Sequence, residues 1–76
     1  MAGKLPRNTA AECLRALQRD GWHPASQSGS HVHLKHATKS GRVTVPRHAE
    51  VTLKPKTLET ILEQAGLTVD EFRQLL

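Results

Sequence analysis

From Ala10 onward the apolar residues Ala10, Cys13, Leu14 and Leu17 recur at the i, i+3, i+4, i+7 spacing of one helix face. Thr9-Ala10-Ala11-Glu12 in front of them has the form of a capping box, in which the Thr9 hydroxyl serves a free amide and Glu12 reaches back. A lead-in arm over Lys4 to Asn8 and a short amphipathic helix to about Arg19 follow from this pattern. Asp20-Gly21 ends the helix, Gly21 suiting the left-handed position after it. Trp22 to Ser26 then reads as a first strand, placed at a sheet edge by Pro24, which has no amide to donate. Gln27-Ser28-Gly29 turns the chain.

The period then changes to two. From His31 to His36, Val32 and Leu34 alternate with His31, His33 and Lys35; from Arg42 to Val45, Val43 and Val45 alternate with Arg42 and Thr44. Opposed residues share a face of the sheet, so Leu34 must stand against Val43 or Val45 and not against Thr44. The outer face then collects His33, Lys35, Arg42 and Thr44, with His31 at its edge. Pro46 is expected to end this strand, and Arg47 to Lys54 to form a loop containing His48. Pro55 suits a first helical position, and Leu58, Ile61, Leu62 and Ala65 give a second amphipathic helix closed by Gly66, with Leu67 supplying the apolar contact of the cap. A second capping box, Thr68-Val69-Asp70-Glu71, opens a last turn or two with Phe72, Leu75 and Leu76. The expected fold is α+β: helix, three antiparallel strands, helix, and a short helical tail, both helices covering one face of the sheet.

Seventy-six residues suffice for one domain, taken as 1–76. A chain of this size buries only about 60% of its unfolded surface, so a polymer lying across the surface is a better substrate than a metabolite in a deep pocket. Residues 1–56 carry ten Lys and Arg against three acidic residues, whereas 57–76 carry Arg73 against Glu59, Glu63, Asp70 and Glu71. A basic body suits a polyanion, although a solvated basic surface has the same composition. Cys13 is the only cysteine and lies on the apolar stripe, where a small buried hydrophobe is the ordinary role. No apolar run approaches the ~20 residues of a membrane span, and no signal-peptide segment stands at the start; a cytoplasmic location is expected.

Five histidines raise metal binding and acid–base chemistry as alternatives. In a strand His31 and His33 face one way and His36 the other, so they do not converge on the tetrahedron a closed zinc site needs; neither a metal nor a cofactor is expected. Metal-free RNA cleavage needs a base for the 2′-hydroxyl, a cation for the phosphorane and a proton donor for the leaving oxygen. Histidine serves as base or acid near neutrality, and Lys35, Arg42 and Arg47 are candidates to hold phosphates. For His23, His36 and His48 a solvated surface role is expected. Gly29 and Ser30 are read as a tight turn that fixes His31 at the lip of the strand, Ser30 being a further candidate phosphate contact. Trp22 is expected in the core rather than as a stacking platform, and with so few aromatics cleavage specificity should be weak.

Several segments together resemble the HicA toxins, small messenger-RNA interferases of toxin–antitoxin pairs. They are Leu17 to Trp22, Gly29-Ser30-His31, Gly41-Arg42-Val43-Thr44-Val45-Pro46-Arg47-His48, Leu53 to Leu67 and Glu71-Phe72, in order over nearly the whole chain. The resemblance implies a fold like that of double-stranded-RNA-binding domains, a catalytic histidine at His31, and a HicB-type antitoxin partner that covers the active site and often carries a DNA-binding domain. This chain departs from the family in Lys56, where Gly is usual, and in Val32-His33, where many members place an aromatic or a histidine directly after Gly-Ser-His. Together these readings point to a metal-independent endoribonuclease with His31 as its catalytic residue and Ser30, His33, Lys35, Arg42 and Arg47 as RNA contacts. The expected products are a 2′,3′-cyclic phosphate and a 5′-hydroxyl. The rival class is a non-catalytic RNA-binding module, which holds RNA by shape and phosphate contacts; a protein that only occupies a partner is the third.

Overall fold

The computed structural model describes residues 6–48 and 50–76; the start of the lead-in arm, residues 4–5, and residue 49 of the loop after the third strand lie outside them. The order is α1 (Ala10–Arg19), β1 (Trp22–Ser28), β2 (His31–His36), β3 (Val43–Pro46), α2 (Pro55–Ala65) and α3 (Val69–Leu75). The strands form one antiparallel sheet in the order β1-β2-β3, so β2 is central and Pro24 does lie in an edge strand. This is the α+β arrangement expected of a double-stranded-RNA-binding-like fold.

Both capping boxes form. Thr9 Oγ1 accepts from the Glu12 amide at 3.2 Å while the Glu12 carboxylate accepts from the Thr9 amide at 2.9 Å. Thr68 and Glu71 repeat the exchange at 3.1 and 2.9 Å. Within the first box, the bond from the Thr9 amide is the main cause holding the Glu12 carboxyl below its ordinary value of 4.5. At the other end of α2, Leu67 N–H bonds to the Leu62 carbonyl and Gly66 N–H to that of Glu63, at 3.0 and 3.2 Å, a Schellman closure that brings Leu67 against the core.

The register pairs Leu34 with Val43, Val32 with Val45 and His33 with Thr44. Leu34, Val43 and Val45 thus point inward with Trp22, Leu17, Leu58, Ile61 and Phe72, all at most 1% exposed. Two boundaries differ from expectation. β1 runs to Ser28 rather than Ser26, because a bulge at Ala25 restores pairing after Pro24, and the turn is Gly29-Ser30. β3 begins at Val43 rather than Arg42, and Pro46 ends it as its last paired residue. The Thr44 amide points to the free edge, toward α2, and by the period of the strand Pro46 does too, so its missing N–H removes no ladder bond. The next amide, that of Arg47, donates to the Ser30 carbonyl at 2.7 Å.

The chain after β3 returns to the start of α1: Leu53 N–H bonds to the Asn8 carbonyl at 2.8 Å and Ala10 N–H to the Val51 carbonyl at 3.0 Å. The tail is a full helix whose Phe72 is entirely buried, and α3 packs on α1, where the Arg19 guanidinium donates to the Leu75 carbonyl. Among the described residues no helix is long and apolar enough to cross a membrane.

Candidate active site

His31 opens the central strand directly after the Gly29-Ser30 turn, where Gly29 holds a positive φ of 58°. Its Cα partners are Ser28 on β1 and Pro46 on β3. The ring is exposed and has no hydrogen-bond or ionic partner among the described residues. With Pro46, its partner across the ladder, His31 lines an open cleft of about 290 Å³ between the free edge of β3 and α2. Thr44, Thr57, Thr60 and Gln64 line the cleft with it. Gln64 closes the sheet edge here, its Oε1 accepting the Thr44 amide at 3.0 Å.

The α2 residues were not among those singled out from the sequence. Thr57, Thr60 and Gln64 recur at helical spacing beside the apolar Leu58, Ile61, Leu62 and Ala65. That flank reads as ordinary solvated surface until the helix is laid along β3.

The residues singled out earlier divide along the sheet. Ser30 and Arg47 lie at the His31 end, joined through their backbones; both are exposed, and the Ser30 hydroxyl has no partner among the described residues. The backbone of the turn is held by glycine and the Arg47 amide rather than by the serine side chain. One step along β2, His33 is half-buried with Nδ1 at 3.1 Å from Thr44 Oγ1. Lys35 and Arg42 are exposed at the far end, Lys35 about 13 Å along the strand from His31. The outer face is polar and basic, with the imidazole and the two outlying cations at opposite ends.

His36 is not the solvated residue expected. Its Nε2 donates to the Asp20 carbonyl at 2.6 Å, and its Nδ1 accepts from the Thr38 and Lys39 amides, both at 3.1 Å. The ring meets Trp22 edge-on with centroids 5.1 Å apart. Lys39 completes the junction, bridging Asp20 Oδ2 at 2.7 Å and donating to the Ala65 carbonyl at the end of α2. The fixed donor and acceptor roles make His36 a structural group joining α1, β2 and the β2–β3 turn. His23 and His48 are exposed, and Trp22 is in the core, as expected.

Cys13 is fully buried, and burial pushes its thiol up to about 12, which removes it from nucleophilic chemistry. Among the described residues no group of three or more His, Cys, Asp or Glu is placed to hold one metal ion. His31 and His33 share a face, while His36 is committed to the other.

With an unencumbered imidazole, cations on the same face and a cleft at its side, the arrangement offers acid–base chemistry on an anionic polymer. Comparison with known proteins bears on the same residues. The family model described as HicA toxin of bacterial toxin-antitoxin matches residues 10–67, from the first residue of α1 through the Leu67 closure of α2. No curated protein matches the chain.

Proposed function

The chain belongs to the HicA toxin family, and from that premise we propose that it is a metal-independent endoribonuclease that cuts messenger RNA with His31. The observation that carries this reading is the exposed imidazole at the start of the central strand, without a partner among the described residues, beside a cleft and on a basic face. In-line attack by a ribose 2′-hydroxyl on the adjacent phosphorus needs the hydroxyl proton removed and the 5′-oxygen protonated as it leaves. His31 is the candidate to take the first proton, since neither ring nitrogen is held by another of the described residues. His33 is the nearest second imidazole on the face, about 7 Å further along the strand, and is the candidate donor to the leaving oxygen. Arg47 and Ser30 are the candidate contacts to the scissile phosphate, and Lys35 and Arg42 to phosphates further along the strand. The products are a 2′,3′-cyclic phosphate and a 5′-hydroxyl.

The partner in this reading is a HicB-type antitoxin that places acidic groups over His31 and the neighbouring cations, with any contact to DNA made by the antitoxin. The setting is the cytoplasm, where the messenger RNA is, and 1–76 acts as one domain. The test is incubation of the purified chain with unstructured RNA in excess EDTA, beside His31→Ala checked for fold by circular dichroism. Cleavage by the native chain alone, leaving cyclic phosphate ends, is the expected result. Equal cleavage by both rejects His31, and RNA binding without cleavage by either moves the reading to a non-catalytic RNA-binding module.

A further inference from the structure

Among the described residues, those that line the cleft with His31 are Thr44, Pro46, Thr57, Thr60, Ile61 and Gln64, none of them Lys, Arg, Asp or Glu. Such walls give little to a phosphate, which gains most from charged donors. They match a flat, neutral group with hydrogen-bonding edges, and the half-buried Pro46 offers it apolar contact.

Two of the polar groups have settled directions. Gln64 Oε1 is occupied by the Thr44 amide at 3.0 Å, so its Nε2 is left to face a ligand as a donor of two hydrogens. The Thr60 hydroxyl donates to the Lys56 carbonyl at 3.1 Å, so its oxygen is left to accept. At about 290 Å³ the cleft lies at the small end of ligand sites, roughly 300–1,000 Å³. That is room for one ring system and not for two stacked bases.

We infer that this cleft is a subsite for one nucleobase of the RNA, next to the phosphate at His31, with the Gln64 amide nitrogen and the Thr60 oxygen reading its edge. The inference rests on the ribonuclease reading for its substrate. It narrows the specificity expected from the scarcity of aromatic residues: the enzyme reads one position beside the cut by hydrogen bonding and the others hardly at all. The edge groups are exposed, so discrimination is of the size of one net hydrogen bond, roughly fivefold.

The test has two arms. In the first, a randomised single-stranded RNA is cut by the native chain, by Gln64→Glu and by Thr60→Val, and the cut ends are sequenced. Gln64→Glu keeps an oxygen for the Thr44 amide and turns the free donor into an acceptor; Thr60→Val removes the acceptor at constant shape. The native chain is expected to enrich one base roughly fivefold at a single flanking position. Gln64→Glu should change which base is enriched, and Thr60→Val should flatten the preference. A uniform drop at all sites in Gln64→Glu, with base frequencies unchanged, is a pure charge effect and overturns the inference.

The second arm needs no cleavage. The Gln64 side-chain amide resonances are followed by NMR while each of the four nucleoside 3′-monophosphates is added to the intact chain. Base-dependent shifts are expected; equal shifts with all four would assign the contact to ribose or phosphate and overturn the subsite. Base-dependent shifts without any RNA cleavage would keep the subsite and reject the ribonuclease reading. Cleavage with no base dependence in either arm would do the reverse, and neither cleavage nor shifts would reject both.

Discussion

Gly21 has a φ of 105°, and a Cβ built on it would stand 2.5 Å from His36 Nε2. Both facts forbid a side chain there. Gly21→Ala is expected to lose on the order of 2–3 kcal/mol, from backbone strain and the displaced bond to the Asp20 carbonyl. Because much of that cost is a clash with one ring, Gly21→Ala and His36→Ala should cost less together than their sum. Chemical denaturation of the two single variants and the double variant measures this, and strict additivity would mean the ring is not the obstacle. Cys13 makes a simpler case: with its thiol buried and pushed up to about 12, it should react with a thiol reagent only as fast as the chain unfolds. Reaction as quick as that of a free thiol under native conditions would contradict the packing of α1.

At the scale of elements, the Thr9–Glu12 box ties the stability of α1 to pH. The folded Glu12 carboxyl sits below its ordinary value of 4.5, so its contribution is fully present above that value. It is lost as the pH falls through the lower folded value. Glu12→Gln keeps an acceptor for the Thr9 amide but does not titrate, so its acid-induced loss of stability below about 4.5 should be shallower than that of the native chain. Unfolding followed at a series of pH values checks this; identical profiles would exclude the box as a source of acid sensitivity. Thr9→Ala removes the other half of the box and should cost about 1 kcal/mol. Lys39, between Asp20 Oδ2 and the Ala65 carbonyl, fastens the β2–β3 turn to the ends of α1 and α2, a placement that favours a cation at a helix C-terminus.

Across the whole molecule, the basic face makes RNA binding a salt-dependent event. With His31→Ala as a non-cleaving host, neutralising Lys35, Arg42 or Arg47 should each lower the slope of log affinity against log salt by about 0.7. A slope unchanged by Lys35 and Arg42 would confine the RNA to the His31 end of the sheet. The core beneath that face is thin, and Phe72 of α3, outside the residues the family model matches, is one of its largest members. Phe72→Ala should cost about 3–5 kcal/mol, a large part of the roughly 5–15 kcal/mol a domain has. Its thermal transition should fall sharply or disappear, whereas an unchanged transition would mean that α3 is dispensable.

The sequence by itself determined the elements and their faces, because period, caps and turn residues are local. The alternation set Leu34 against Val43 or Val45 and left the choice between them, Val43, to the folded sheet, while the two Thr-to-Glu boxes marked two helix starts to the residue. The resemblance brought His31 forward among five histidines, a choice that spacing alone left open. Tertiary structure decided what depends on which surfaces meet. Pro46 stays in β3 because its nitrogen faces the free edge, a direction set by the ladder and not by proline itself. His36 is a structural group because the end of α1 brings the Asp20 carbonyl within 2.6 Å of its ring. Thr57, Thr60 and Gln64 join His31 only because α2 lies along β3. A helix's polar flank carries no mark of the strand it will face, so that part of the site exists only once the chain has folded.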